Sequence, residues 1–468
     1  MNYVEEMMKG LRVNKNKKHK MKLKYIATFA VSIFSISIGF SQIPENIKKE
    51  IQYRVKNKIN PSIAVGIADS TGTYYYVHGL KDVANKLKAD ENTLYEIGSI
   101  TKTYTGLLLA KYNVTDSLDL TTPVNNFLPD SIILTDKKGV DVTLKSLSTH
   151  SSGLPRLPNN MDLQNQLNPY AEYSRKDMYT FLSHYIPKSV DKKFEYSNLG
   201  AGLLGDILSI YKKDSYKNLL QKEVLSPLAL KATFLNIPTT QTENFAKGYL
   251  GNQEVPHWKF KLMEPAGGLK TNIKDLVKYG KSYLNPQNPL AKAQKVATSV
   301  QFTDQEMKKH GLGWFINEDD IIFHGGGTGG FRTFMAVDKK NKRVIAIMTN
   351  SGSSSVEDIA EYIIDPKKNP IDFTPKAIEI TPEELMAYEG NYINDGLKLS
   401  YDFIINENTL QAQLSGQPEF PVYYQGESTF FYKVVKAKIV FERDENNTVV
   451  GLTLHQNGQE IPFIKTTP

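Results

Sequence analysis

Tyr95-Glu96-Ile97-Gly98-Ser99-Ile100-Thr101-Lys102 runs directly into the apolar positions Tyr104, Leu107, Leu108 and Leu109. That spacing predicts a helix over 99–112, because apolar residues three and four apart share one helical face. Ser99 and Lys102, three apart, lie on a common face too. At a helix start the serine meets free backbone N–H groups and the positive end of the helix dipole, which favour developing negative charge. A lysine held in a dry site loses its proton more easily and can activate such a serine as a nucleophile. The same residues also fit a helix cap beside a solvated lysine, so the rest of the chain has to decide.

Outward from this helix, residues 62–68 and 73–77 form two β-type runs around Asp69-Ser70-Thr71-Gly72, a hairpin signal. Far along the chain, 331–337 and 343–348 form a second pair joined by Asp338-Lys339-Lys340-Asn341-Lys342. Helical stretches lie between, clearest at 99–112 and 200–211. Strands at both ends of a domain with helices between them predict an antiparallel sheet with helices packed on it, the α+β variety of α/β protein. This domain is assigned to 42–362, followed by a linker over 363–379 that holds Pro366, Pro370 and Pro375. From about 385 onward strands stand alone, at 398–406, 409–414, 421–425, 430–435, 437–443, 449–455 and 461–465. Polar turns separate them, among them Asn457-Gly458, a strong hairpin dipeptide. Residues 380–468 are therefore expected to form a small all-β, lipocalin-like barrel.

Two further segments carry chemistry. Tyr196-Ser197-Asn198 precedes a predicted helix. A phenol beside a lysine can shuttle protons, and an Asn amide can donate to and accept from a substrate amide. An ordinary loop with a helix cap fits as well. His324-Gly325-Gly326-Gly327-Thr328-Gly329-Gly330-Phe331 contains five glycines, which let another backbone approach closely. A phosphate loop would need a following Lys-Ser/Thr and a helix, whereas a strand follows here. The segment is expected to be an edge strand that receives a substrate backbone, with an N–H aimed at an oxyanion. A glycine-rich loop with a surface histidine is the plainer alternative.

The chain has 468 residues, 40% hydrophobic, 23% charged and 10% aromatic, which suits two or three folded domains and not a solvated polymer. It has no cysteine, which excludes disulfides, thiolate metal sites and a cysteine nucleophile. Residues 1–41 hold eight Lys/Arg against Glu5 and Glu6, so they carry +6 of the net +7 and leave +1 for the remainder. No basic face is left to suggest nucleic acid. A basic stretch ending Lys22-Leu23-Lys24, sixteen mostly apolar residues at 25–40 and the small-x-small Gly39-Phe40-Ser41 read as an export signal cut before Gln42. Met21 is an alternative start, and an uncleaved anchor the alternative reading, although the apolar run is short of the ~20 residues a span needs. The expected product is periplasmic or extracellular, without stable membrane insertion. His184, His257, His310 and His455 show no paired metal spacing and no His-Glu-x-x-His occurs, so neither metal nor cofactor is expected.

The serine, tyrosine and glycine segments occur in order with Leu147-Ser148-Thr149-His150-Ser151-Ser152-Gly153-Leu154-Pro155, Ser226-Pro227-Leu228, Pro265-Ala266-Gly267-Gly268-Leu269 with Asp275, and Gly311-Leu312-Gly313-Trp314. Over about 48–355 the sequence thereby resembles the class C β-lactamase-like serine hydrolases, which include penicillin-binding proteins, D-aminopeptidases and esterases. The resemblance implies a β-lactamase/transpeptidase-like fold with Ser99 as nucleophile and Lys102 as its activating partner. It implies Tyr196 as general base, and as acid toward the leaving group, and Asn198 as the residue that orients substrate. His324 and Gly326 correspond to the Lys and Gly of the family's Lys-Thr-Gly triplet. The Gly327 and Ser99 N–H groups correspond to its oxyanion hole, worth ~3–4 kcal/mol per donor.

His324 departs from the family pattern. Lysine there is a permanent cation suited to a substrate carboxylate, whereas a free histidine titrates near pH ~6.5. If His324 must be neutral, activity should fall below pH ~6.5. β-Lactams and D-Ala-D-Ala peptides both carry that carboxylate, which puts efficient β-lactam hydrolysis in doubt. A His-x-Gly triplet also resembles that of D-aminopeptidases and other peptidases. Arg332 is a candidate for the missing charge, or pairs with an acid on the sheet surface. His150 is expected to be structural, Asp275 to cap or brace a helix, and the loop over 156–175 to shape the mouth of the site. The expected function is an exported serine hydrolase acting through an acyl-enzyme on amide or peptide bonds, with D-residue or cell-wall-type peptides leading. Carboxylesterase, class C-type β-lactamase and an acylated sensor without turnover follow; the partner is a small molecule or peptide.

Overall fold

Seven consecutive buried residues make up the first strand, β1 (Ser62–Ala68), and a strand buried all along is one covered on both faces. The computed structural model describes residues 42–161, 167–369, 371, 377–406, 408–435, 437–456 and 459–466. The expected export segment, Pro370, Pro375 and the Asn457-Gly458 turn lie outside them.

Around β1 the other strands of the main sheet are β2 (Thr73–Asp82), β3 (Leu87–Lys88), β4 (Phe302–Thr303), β5 (Lys309–His310), β6 (Phe315–Ile316), β7 (Ile322–Gly327), β8 (Arg332–Asp338) and β9 (Arg343–Thr349). Their order is β3-β2-β1-β9-β8-β7-β6-β5-β4, antiparallel at every pairing. The first and last long strands meet at the centre, with Ile63 opposite Thr349 and Ile67 opposite Ile345. Both expected hairpins, β1–β2 and β8–β9, are present.

Alternate residues of a strand point to opposite faces, and each face here has its own core. Ile63, Val65, Ile67, Ile345 and Ile347 pack with Ile47 and Ile51 of α1 (Glu45–Lys56) and Ile359 and Ile363 of α5 (Glu357–Ile364). Ala64, Val344, Ala346 and Met348 belong to the larger core with α2 (Thr101–Thr115), α3 (Asn198–Lys212) and α4 (Ile273–Ser282). Covered faces explain why these strands read as continuous apolar runs. The expected break after residue 362 falls inside α5, which ends at Ile364.

β7 is not an edge strand, contrary to the sequence expectation, because β6 pairs with Ile322 and Phe323 on the side away from β8. Beyond Phe323, however, β6 has ended. Among the described residues no strand pairs with His324–Gly327 on that side, which is open to another partner.

The C-terminal strands close into an eight-stranded barrel whose first strand, Gly390–Asn394, pairs with its last, Gln459–Lys465. That first strand is absent from the sequence reading, and a short helix at Pro382–Leu385, capped by Thr381, precedes it. The barrel interior is filled by Tyr388, Tyr392, Phe403, Phe430 and Phe441, with ring centroids 4.8–5.5 Å apart. The barrel joins the sheet domain where Ser354 Oγ donates to the Val434 carbonyl at 2.6 Å. Among the described residues no helix is long and apolar enough to cross a membrane.

Candidate active site

Ser99 sits in a 3-10 turn, Gly98–Ile100, that leads into α2, one turn earlier than a regular helix start. Gly98 has φ +47°, a left-handed conformation that disfavours side chains. A Cβ there would also lie 2.6 Å from the Gly327 nitrogen and 2.7 Å from its oxygen. Gly326 is equally tight against the Ile97 carbonyl, which accepts from Thr333 Oγ1 at 3.2 Å. The serine-bearing turn thus packs against the face of β7 at Gly326 and Gly327, not along its unpaired edge. Backbone approach this close needs glycine on both sides, which accounts for part of the glycine run.

Lys102 points inward from α2 and is 2% exposed. Its Nζ lies 3.0 Å from Ser99 Oγ, 2.8 Å from Asn198 Oδ1 and 2.6 Å from the Ala266 carbonyl oxygen. Burial, and secondarily the charge of Arg156, push its pKa well below the usual lysine range. Its Nζ also stands 4.9 Å from the centroid of the Tyr196 ring. Burial raises Tyr196 to about 12, against the opposing influence of a hydrogen bond with Ser99 and of the Arg156 charge. At neutral pH the phenol keeps its proton.

The start of α3 positions Tyr196 and Asn198. Ser197 caps that helix, its Oγ accepting from Gly200 N at 2.8 Å and donating to the Pro155 carbonyl at 2.7 Å. Asn198 N donates to the Arg156 carbonyl at 3.0 Å. His150, at φ +60° and buried, ties the same loop from behind: its carbonyl accepts from Glu195 N at 2.7 Å, and its Nδ1 accepts from Ser197 N at 3.1 Å. Its ring centroid is 4.3 Å from that of Tyr196. Burial and the Lys102 charge hold His150 far below the ordinary histidine range, so it is neutral. An accepting Nδ1 then puts its proton on Nε2. The structural role expected for His150 takes this concrete form.

His324 is buried as well, its ring 6.4 Å from Tyr196 and 5.1 Å from Phe315. Its Nδ1 lies 2.5 Å from the Gly325 carbonyl oxygen, so Nδ1 carries the proton. Burial first, then Lys102, lower its pKa to about 3. His324 is therefore neutral through the whole ordinary pH range, and titration near 6.5 does not apply to it.

The geometry brings Ser99, Lys102, Tyr196 and Asn198 together, with Gly326 and Gly327 against the Ser99 turn and His324 behind Tyr196. Asn198 does not turn both ends of its amide to a vacant cleft: Oδ1 faces Lys102, and Nδ2 donates to Tyr170 Oη at 2.9 Å. Tyr170 escaped the sequence reading. It lies in the loop expected to shape the mouth, buried, and stacked 5.1 Å from Phe260 and edge-on 5.2 Å from Trp258. The Ala266 carbonyl, inside a recognised landmark, is a third partner of Lys102 that no side-chain pattern reveals. Arg332 Nη1 donates to the Thr328 and Phe331 carbonyls at 2.8 and 3.0 Å, and Glu357 is its charged neighbour. Asp275 braces α4, its Oδ2 accepting from Ala232 N at 2.6 Å.

In sequence, residues 47–365 match the Beta-lactamase family. A β-lactamase from Providencia stuartii is 28% identical over 254 residues, which cover 53% of this chain and 62% of that protein. Protein flp of Staphylococcus aureus strain MW2 is 28% identical over 295 residues, 61% of this chain and 58% of that protein. The chain therefore spans less than two thirds of the length of either curated relative. Among solved structures, an octameric penicillin-binding protein homologue from Pyrococcus abyssi matches with a TM-score of 0.64 and 22% identity, covering 90% of this chain and 99% of that one. A class C β-lactamase matches with a TM-score of 0.58 and 22% identity, covering 66% of this chain and 90% of that one. At such identity these two likenesses concern the fold alone. Because the family match runs unbroken from α1 to the end of α5, taking in the Ser99 turn and the glycine strand, the chain belongs to the Beta-lactamase family and has its serine hydrolase fold.

Proposed function

We propose that this chain is an exported serine hydrolase that forms an acyl-enzyme on Ser99 and cleaves amide or peptide bonds, with D-residue or cell-wall-type peptides as leading substrates. One observation carries the reading: Lys102 Nζ, buried, 3.0 Å from Ser99 Oγ. A neutral amine has two N–H groups and one lone pair. With the N–H groups directed at Asn198 Oδ1 and the Ala266 carbonyl, the lone pair is left for the Ser99 hydroxyl.

In this mechanism Ser99 Oγ attacks the substrate carbonyl as Lys102 takes its proton. The Ser99 and Gly327 N–H groups receive the oxyanion, a role supported by the close fit of Gly98 against Gly327. Tyr196, a neutral phenol, gives its proton to the leaving nitrogen as the C–N bond breaks, and the proton held by Lys102 restores it. The base role expected for Tyr196 thereby passes to Lys102, since burial keeps the phenol protonated. Water then cleaves the ester and returns Ser99. The names of the relatives, β-lactamase and penicillin-binding protein homologue, favour acyl chemistry of this kind. Export rests on the basic, apolar and small-x-small pattern of residues 1–41.

Intact mass of the mature protein after incubation with a penicillin and with D-aminoacyl amides and esters tests the reading, with Ser99→Ala alongside. A Ser99-dependent adduct or turnover supports it. Turnover that persists in Ser99→Ala, or no adduct and no hydrolysis with any of them, overturns it.

A further inference from the structure

Six arginines lie within the described residues, and five of them have an acceptor. Arg54 donates to Glu50 and Asp358, Arg175 to Asp206, Arg332 to the Thr328 and Phe331 carbonyls, Arg343 to the Ile363 and Ile364 carbonyls, and Arg443 to the Asn447 carbonyl. Arg156 is the exception: among the described residues nothing accepts from its guanidinium.

Its location makes that notable. Arg156 is exposed, with Cζ 5.0 Å from the centroid of the Tyr196 ring. Its backbone is not loose, because its carbonyl accepts from Asn198 N at 3.0 Å and Leu199 N at 3.3 Å, and the preceding Pro155 carbonyl accepts from Ser197 Oγ. The residue is thus fixed to the N-terminus of α3 at the point where Tyr196 and Asn198 enter the site. Other positive groups nearby are committed. Lys102 Nζ is already engaged by Ser99, Asn198 and Ala266, His324 is neutral, Lys270 Nζ is held by the Leu235 and Gly268 carbonyls, and Arg332 is engaged as above. A guanidinium with no acceptor among the described residues, at the rim of the proposed acylation site, offers a planar pair of donors that matches a carboxylate.

We infer that Arg156 is the specificity-determining residue that binds a carboxylate on the substrate, supplying from the loop after Gly153 the positive charge that β7 lacks at His324. The preferred substrates are then acyl compounds with a free carboxylate, such as peptides ending in one, and not uncharged esters or amides. The inference rests on Ser99 being the acylated residue.

The test uses matched acyl donors, a peptide ending in D-alanine and a small acyl ester, each made with a free carboxylate and with the corresponding carboxamide. Acylation of Ser99 and kcat/KM are measured for the full mature protein, Arg156→Gln and Arg156→Lys. Wild type should favour the carboxylate form, and Arg156→Gln should cut that preference about tenfold, chiefly through KM, the size expected for a hydrogen bond to a charged group. Arg156→Lys should keep part of it. A preference unchanged in Arg156→Gln while both rates fall together would mean that Arg156 acts on Tyr196, and would overturn the inference alone. So would a wild type indifferent to the carboxylate. Failure of every donor to acylate Ser99 would remove the proposed function and the inference with it.

Discussion

Asn198 Oδ1 accepts from Lys102 Nζ at 2.8 Å, across 96 positions of chain. The residue expected to orient substrate is thus also what holds the amine proposed to activate Ser99. Asn198→Asp would keep the geometry but set a negative charge against Lys102, and an opposite charge at that range favours the protonated form. We predict that the acid limb of kcat/KM moves upward by about one pH unit or more, since the base works only when neutral. A pH–rate profile of the variant checks it; an unmoved limb would take the base role away from Lys102.

Ser99→Ala should lose essentially all turnover while melting as the wild type does. Its hydroxyl bonds with Lys102 and Tyr196 at a partly exposed position, so little packing is at stake. Hydrolysis assays beside a thermal melt separate chemistry from folding.

Tyr170→Phe tests the other end of the Asn198 amide. Loss of the hydroxyl leaves Nδ2 buried without its partner, a cost of about 1–3 kcal/mol for an unsatisfied group. We expect reduced stability by denaturant titration, together with a drop in kcat as the Asn198–Lys102 contact loosens. A kcat equal to wild type would show that Lys102 needs no such support.

His324 links acidity to stability and not to turnover. Its folded pKa is about 3 and its unfolded value is near ~6.5. Between these values the unfolded chain binds a proton that the folded chain refuses, so stability is lost as pH falls through that window, at up to ~1.4 kcal/mol per pH unit. His150, also held neutral, acts in the same direction. His324→Gln should flatten, without abolishing, the fall in urea midpoint between about pH 6.5 and pH 4.5.

Gly98→Ala should damage both fold and activity. The methyl would meet the Gly327 backbone at 2.6 Å, in a left-handed conformation that already disfavours it. A cost of about 2 kcal/mol or more is expected from overpacking and backbone strain together, read from the denaturation midpoint.

Local pattern served well where it recorded burial or chain reversal. The runs at β1 and β9 announced strands because both faces are covered, and Asp69-Ser70-Thr71-Gly72 announced the turn joining β1 to β2. The strand Gly390–Asn394 stayed hidden because, in five residues with two asparagines, Tyr392 alone is buried. The openness of β7 was legible in its glycines, but its neighbour β6, two residues long, was too short to read. At the site, order along the chain marked Ser99, Lys102, Tyr196 and Asn198. The same reading could not reveal the Ala266 carbonyl, which has no side-chain signature, or Tyr170, whose role exists only once a distant loop has docked. Nor could it foresee the protonation states of His324 and Tyr196, which follow from burial.

Thr349 Oγ1 donates to the Ser62 carbonyl at 2.7 Å, 287 positions away, where β9 lies beside β1. The strand that emerges early from the ribosome has to wait for one made near the end of the domain, and β7, which backs the Ser99 turn, also comes late. Pairings so distant in sequence form slowly, because the chain must close a long loop before any contact rewards it. A partly synthesised chain accordingly lacks the strand against which the Ser99 turn packs. If Ser99 is the acylated residue, as proposed, its site is completed only when the whole domain has been made.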